Sequence, residues 1–182
     1  ILAIAVIIMF IFAIKTLLQN SKRKGNVTAQ SYFPIYTNEK WGVINSSGEI
    51  IIEPTYKEAI IIPNNKEDIF ICTYDVDYTN STYKTKVINS KKKELFTNYE
   101  QLQPLENYDK NNNIWYEENV LKVQKDGKYG LINFKGKVIL PIEYDEITTI
   151  KGIQNSIIVK KDNELGLCNK EGKIIIEPKY NE

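Results

Sequence analysis

The apolar positions divide the chain into two unlike parts. Residues 1–14 (ILAIAVIIMFIFAI) carry no polar side chain, and Leu17 and Leu18 extend the run past Lys15. Beyond residue 31 the apolar residues fall in short runs broken by Gly, Asn, Asp and Pro, the pattern of short strands joined by tight turns. Eighteen helical residues would span about 27 Å, close to the hydrocarbon thickness of a bilayer. Ten of the first fourteen residues are Ile, Leu, Val or Phe, and they favour insertion by about 3–6 kcal/mol. Lys15 lies near the end of the span, where its ammonium can reach the interface. A buried core helix would show a polar face, which this segment lacks. A cleaved signal peptide needs small residues soon after the apolar run, and the basic Ser21-Lys22-Arg23-Lys24 intervenes. Residues 1–19 therefore predict one transmembrane helix, with 20–30 a basic, polar linker.

The second part repeats itself. Trp41–Tyr56 (WGVINSSGEIIIEPTY), Tyr129–Tyr144 (YGLINFKGKVILPIEY) and Leu165–Tyr180 (LGLCNKEGKIIIEPKY) align almost residue for residue. Each runs from an aromatic residue or Leu through Gly, two apolar residues, Asn and a second Gly to three apolar residues, a Pro and a closing Tyr. A degraded copy, Lys86-Val87-Ile88-Asn89 with Leu95, Phe96 and Tyr99, lacks both glycines and the Pro. With the Asn as register, Asn45, Asn89, Asn133 and Asn169 follow one another at spacings of 44, 44 and 36 residues. Self-similarity at such periods marks a repeat array.

Local chemistry assigns each position a task. Asp126-Gly127 and Asp162-Asn163 suit two-residue hairpin turns, whose central residues both need positive φ. Gly42, Gly130 and Gly166 lie inside a strand, so each marks a bulge or a close approach of another backbone. Asn45, Asn133 and Asn169 can close a turn with their side chains, and Gly48, Gly136 and Gly172 supply its left-handed residue. Pro54, Pro141 and Pro178 have no N–H for a ladder and are expected to end the pairing before Tyr56, Tyr144 and Tyr180. Each unit is then a three- or four-stranded antiparallel meander. It cannot bury both faces alone and must stack on its neighbours. The expected fold is all-β, a propeller-like or open solenoid array over residues 31–182, with units near 31–60, 69–105, 119–150 and 156–182.

Lys40-Trp41-Gly42-Val43-Ile44-Asn45, followed by Gly48 and Ile50-Ile51-Ile52-Glu53-Pro54-Thr55-Tyr56, resembles the WG-repeat family of bacterial proteins. The resemblance covers residues from about 31 to 182, in three clear copies and one weak one. It implies repetitive β modules with interaction roles and no assigned catalytic residues. The chain departs from the pattern by lacking the Trp in three copies and by a long insertion at Tyr74–Lys84. It starts without Met, and its last copy stops at Tyr180-Asn181-Glu182, so further sequence is expected at both ends.

Composition narrows the function. The formal charge of +1 conceals an asymmetry: from residue 25 onward there are 20 basic against 23 acidic residues, a net of −3. Such a region has no electrostatic footprint for nucleic acid. With no His in the chain, Ser-His-Asp and Cys-His catalysis and His-ligated metals are excluded. Phosphate-binding glycine motifs are missing too, and no cofactor is expected. Cys168 takes the register place of Ile44 and Ile132, and it reads as a small buried hydrophobe. Cys72, in an apolar run, reads the same way. Glu53, Glu177, Glu143 and Asp145 could in principle form a glycosidase pair, but their recurrence at matched positions favours structural or solvent-facing roles. Asp109, Asn111 and Asn113 have the alternate spacing of a Ca²⁺ loop, yet Ile114 and Val120 stand where that loop needs Gly and Glu. A hydrated turn is the better reading there and at Asp75 and Asp77. The recurrent aromatics are expected to hold units together. Trp115 and Tyr116 lie outside the repeat register and are the candidates for contact with a ligand.

Together these features predict a single-pass membrane protein whose repeat domain is a binding or scaffold module for another protein or a cell-envelope glycan. An extracytoplasmic placement is favoured, although flanking charges leave topology open. The competing reading is a carboxylate-based hydrolase acting on a polysaccharide, and a third is a sensory domain.

Overall fold

The computed structural model describes residues 32–180, and the anchor and linker expected at 1–19 and 20–30 lie outside them. The described residues contain fourteen strands: β1 (Tyr32–Thr37), β2 (Lys40–Asn45), β3 (Ile50–Tyr56), β4 (Phe70–Asp77), β5 (Thr82–Ile88), β6 (Glu94–Leu95), β7 (Gln101–Tyr108), β8 (Ile114–Lys125), β9 (Lys128–Ile132), β10 (Val138–Tyr144), β11 (Glu146–Thr149), β12 (Ile157–Lys161), β13 (Glu164–Cys168) and β14 (Ile174–Tyr180). They form four antiparallel sheets, ordered β1-β2-β3, β4-β5-β6, β10-β9-β8-β7 and β11-β12-β13-β14, with no closed barrel. Among these residues there is no helix long and apolar enough to cross a membrane. Four small antiparallel sheets are present, but their limits differ from the expected units: Glu146–Thr149, grouped by sequence with the third unit, pairs with β12 of the fourth sheet. Gln101–Leu105, grouped by sequence with the second unit, instead pairs with β8 of the third.

Strand periodicity builds the core. Successive side chains of a strand point to opposite faces, and each inner sheet is buried on both. In β4, Phe70 and Cys72 pack toward the first sheet, while Ile71 and the preceding Ile69 pack toward the third. In β9, Ile132 faces the second sheet and Leu131 the fourth. Three hydrophobic cores result, one between each consecutive pair of sheets, so every sheet is held by its sequence neighbours. Both cysteines sit at such inward positions, fully buried and unpaired.

The two-residue hairpins are as their chemistry demands. Asn38 and Glu39, Asp126 and Gly127, and Asp162 and Asn163 all have positive φ, which matches the strand twist. Each longer turn is closed by its Asn. The Asn133 Oδ1 accepts from the N–H groups of Lys135 and Lys137, both at 2.9 Å, and Asn45, Asn89 and Asn169 do the same. Gly48, Gly136 and Gly172 hold the left-handed position at φ 79, 80 and 84°, and in the degraded copy Lys92 takes it at φ 59°. The Asp109–Asn113 segment is the same turn built on Asp. Its Oδ1 accepts from Asn111 and Asn113, and Asn112 has φ 63°. The alternate spacing that suggested a cation loop is therefore the spacing of a hairpin turn.

One expectation fails. The prolines do not end the third strand of each unit; β3, β10 and β14 run through Pro54, Pro141 and Pro178 to the closing Tyr. Val43 pairs with Ile52 and Trp41 with Tyr56, so three residues of β3 oppose one of β2 in a bulge around the proline. A bulged residue donates nothing to the ladder, so Pro fits there. The bulge presses on the strand opposite, at the glycine. A Cβ on Gly42 would lie 2.5 Å from the Ile52 carbonyl oxygen and 2.8 Å from the Pro54 nitrogen, and Gly166 meets Ile176 and Pro178 in the same way. The second unit shows the converse. Lys86 stands in the glycine's register, and β6 stops after Glu94–Leu95, paired only to Ile88 and Val87.

Candidate functional site

After Tyr56, Tyr99 and Tyr144 the chain runs to the edge of the next sheet. Ile61 bridges to Ile71 through bonds of 3.0 and 2.9 Å, while β7 and β11 edge the third and fourth sheets. Between these edges lies a groove of about 830 Å³ that touches three units. Beneath it lie the buried core side chains Ile71, Leu102, Leu105 and Ile147, with Ile61 and Val76 half-buried at its surface. Tyr83 and Tyr108 stand in its walls with Thr73, Thr85, Thr148 and Thr149, and Glu58, Glu106, Lys122 and Lys151 carry its charges. An apolar concavity with a few convergent polar groups is the usual form of a binding site.

Hydrogen bonds across sheets fix its shape. The buried Thr85 Oγ1 accepts from the Leu102 N–H at 2.8 Å, tying β5 to β7. The Thr149 hydroxyl donates to the Glu106 carbonyl at 2.7 Å, tying β11 to β7. Asn107 is fully buried. Its Nδ2 donates to the Ile150 and Ile153 carbonyls, each at 3.1 Å, and its Oδ1 accepts from the N–H groups of Gly152 at 3.0 Å and Tyr108 at 2.7 Å. A buried amide with all these partners holds the loop after β11 against β7. The groove is thus built in advance of any ligand.

Its charges are unequal. Burial pulls the Lys122 ammonium below the usual lysine range, an effect that Glu146 and Glu106 oppose. Lys122 donates to the Ile147 carbonyl at a long 3.5 Å and lies 5.5 Å from the centre of the Tyr129 ring. Glu58 accepts the Tyr78 hydroxyl, and the Gln103 amide donates to the Tyr83 hydroxyl at 2.6 Å. Lys151 is held by the Asn112 side chain at 2.6 Å. Lys122 is the groove cation whose ammonium has the weakest partner among these.

Trp115 and Tyr116 lie elsewhere. They are half-buried in β8, opposite Asn107 and Glu106, and neither lines the groove. Burial, and then Glu106 and Tyr108, raises the Tyr116 phenol above its ordinary range. Of the acids weighed as a glycosidase pair, Asp145 and Glu143 are held in ion pairs. Asp145 pairs with Lys128 and accepts the Asp162 N–H at 2.7 Å, Glu143 pairs with Lys161 at 3.1 Å, and Glu53 and Glu177 are exposed. Asp145 is held below the usual carboxylate range, first by the Lys128 hydrogen bond and then by that N–H. Among the described residues no three Cys, Asp or Glu side chains come together as a metal site.

A second recurrent feature escaped the repeat motif. Asn119 Oδ1 accepts from Phe134 N–H at 3.1 Å, Asn155 Oδ1 from Lys170 at 2.7 Å, and Asp68 Oδ1 from Ser90 at 2.6 Å. Asp68 and Asn155 stand just before β4 and β12 and Asn119 within β8, and each latches the residue just after the turn Asn. The sequence signal was a fixed distance: Asn119 and Asn155 both lie 14 residues before their turn Asn.

With this geometry in place, comparison with known proteins is informative in one respect. The WG containing repeat matches residues 41–67, 129–164 and 166–182, so the chain carries WG repeats in three segments. The unit with Lys86 in place of the glycine lies outside the matched residues. No curated protein and no solved structure matches the chain.

Proposed function

We propose that this chain is a binding module, tethered to a membrane by residues 1–18, whose groove across the second, third and fourth units takes an extended segment of another protein. The units continue one another as a propeller-like or open solenoid array. The observation that carries the reading is a preformed groove where the half-buried Ile61 and Val76 and the exposed Tyr83 and Tyr108 stand among side chains of both charges. Apolar side chains of a peptide can pack against Ile61, Val76 and the two tyrosines, whereas a cell-envelope glycan would use the two rings alone. Lys122, with its weak partner, suits an acidic residue of that segment.

The test is selection from a random peptide library on the full chain in mild detergent. Peptides combining aliphatic residues with at least one acid are expected, and their binding should fall in Thr148→Trp, which fills the groove from an exposed position. Failure to select any peptide, or binding indifferent to that substitution, would sink the reading. If wall polysaccharide binds instead and Thr148→Trp abolishes it, the ligand is a glycan. Protease protection in intact cells tests the tether and its side. Digestion of the repeats from outside is expected, and protection until the membrane is opened would reverse the placement.

A hydrolytic reading rests on Glu58 and Glu106, the two acids of the groove. It predicts polysaccharide cleavage that Glu58→Gln and Glu106→Gln each abolish.

A further inference from the structure

The second sheet lacks most of its third strand, and this sheet lies in the middle of the array. In the other three sheets the third strand runs for seven residues and reaches back to the closing tyrosine: Tyr56 pairs with Trp41, Tyr144 with Tyr129 and Tyr180 with Leu165. The counterpart of Trp41, Tyr129 and Leu165 in the second sheet is Thr85, four residues before Asn89. There β6 ends after two residues, paired to Ile88 and Val87, and the chain turns away as the Tyr99 N–H donates to the Phe96 carbonyl at 3.3 Å. Alternation along β5 identifies the backbone groups left over. Ile71 exchanges both its bonds with Ile61, so it faces away from β5, and Phe70, Cys72 and Tyr74 bond Ile88, Lys86 and Lys84. Tyr83, Thr85 and Val87 therefore aim their N–H and C=O groups at the place of the third strand. Leu95 meets Val87, whereas the main-chain groups of Thr85 and Tyr83 meet no partner among the described residues. Tyr83 is exposed and Thr85 buried, so the open edge runs inward from Tyr83. Sheet edges are commonly blunted by a proline; β7 carries Pro104, and β5 carries none.

We propose that the bound peptide segment adds to β5 as an antiparallel strand, in the place that β3, β10 and β14 take in their own sheets. The inference rests on the reading of the chain as a peptide-binding module, and it gives that segment a backbone partner in the groove wall, where Tyr83 and Thr85 both stand. The repeats also specify the segment. A bulged, proline-bearing third strand needs glycine opposite, and Lys86 stands in that register. A regular strand needs no glycine there, so the segment is extended and free of proline at this point, unlike the third strands of the chain itself. Directly opposed residues of an antiparallel pair share a face. Val87 and Ile71 face the third sheet and Ile88 and Cys72 the first, so side chains opposite Tyr83 and Thr85 project with them toward Ile71 and suit apolar residues. The side chain between these two lies opposite Lys84 and projects to the other face, beside Lys84 and Lys86, where it suits an acid. The segment is thus apolar, acidic and apolar at three successive positions.

The probe is the tightest peptide from the library selection on the full chain in mild detergent, and two readouts report on its backbone. Hydrogen exchange at the Tyr83 and Thr85 amides should slow by about tenfold or more when the peptide binds. Methylation of the peptide amides one at a time should lower affinity by about tenfold at two positions separated by one residue, and leave the position between them almost unchanged. That alternation belongs to a strand ladder and not to side-chain docking. A peptide that binds, and is lost in Thr148→Trp, while both amides exchange as in the free chain or methylation acts without alternation, overturns strand addition and leaves the groove reading standing. If no peptide is selected, both fall.

Discussion

The in-strand glycines give the sharpest prediction, because what faces them is backbone. A Cβ on Gly42 would stand 2.5 Å from the Ile52 oxygen, one on Gly166 2.7 Å from the Ile176 oxygen and one on Gly130 2.9 Å from the Leu140 oxygen. Ordinary contact begins at 3.4 Å, so the shortfalls are 0.9, 0.7 and 0.5 Å. None of these oxygens can rotate away; the bulge must move as a whole, and the proline within it resists. Forced overpacking of this kind costs about 1–3 kcal/mol, against a gain of roughly 0.4–1 kcal/mol from stiffening the unfolded chain. Gly42→Ala and Gly166→Ala are therefore expected to destabilise by about 2 kcal/mol and Gly130→Ala by about 1, in the order of the shortfalls. At roughly 2–4 °C per kcal/mol for a domain of this size, Gly42→Ala should lower Tm by about 4–8 °C. The assay is thermal unfolding of the full chain in mild detergent, followed by circular dichroism and Trp fluorescence. Gly48→Ala is the control. Its Cβ would meet nothing, and its cost of about 1 kcal/mol comes from φ alone. If Gly42→Ala and Gly166→Ala are neutral or stabilising, or cost less than Gly48→Ala, the close-approach reasoning is wrong.

Other substitutions follow from the same geometry. Lys92 and Glu39 hold positive φ without being glycine, so Lys92→Gly and Glu39→Gly should each stabilise by about 0.5–1 kcal/mol, read as a rise in Tm. Asn155→Ala removes the acceptor of the Lys170 N–H and should cost about 1–3 kcal/mol, while Asn155→Asp, which keeps the acceptor, should cost clearly less. Burial raises both thiols to about 11, so Cys72 and Cys168 should ignore a thiol reagent at pH 8 in the folded chain and react fully in denaturant. Lys122 has a lowered folded-state pKa. The folded state then binds the proton less well than the unfolded one, and that penalty is present below the folded pKa and relieved as pH rises toward the unfolded value. Lys122→Met should raise Tm at neutral pH and remove this rise in stability at alkaline pH.

What the sequence disclosed was what local chemistry dictates. The turn residues Asn45, Asn133 and Asn169 with their glycines, the positive-φ hairpins, the buried Cys168 and the copy-by-copy register all follow from bonds made within a few residues. The bulge was half legible. Gly42 signalled a close approach and Pro54 a missing donor, but that they answer one another across two strands depends on pairing, which neither residue announces. The groove was not legible. It lies between edge strands of three sheets, and residues as far apart as Ile61 and Ile147 meet there only because the sheets stack. Trp115 and Tyr116 stood out because they fall outside the repeat register. They do so because β8 is longer than its counterparts and pairs with β7 through Asn107 and Glu106, which leaves both rings half-buried beside the groove's far wall strand.

Photo-crosslinking from the groove in living cells tests the binding role most directly. Tyr83 in the full-length chain is replaced by a photoreactive phenylalanine of similar shape, and Lys125, the exposed last residue of β8, serves as the control. A discrete protein adduct formed on irradiation from position 83, absent from position 125 and lost on adding Thr148→Trp, is the expected result. No adduct from the groove, or the same adduct from both positions, would contradict a protein-binding groove.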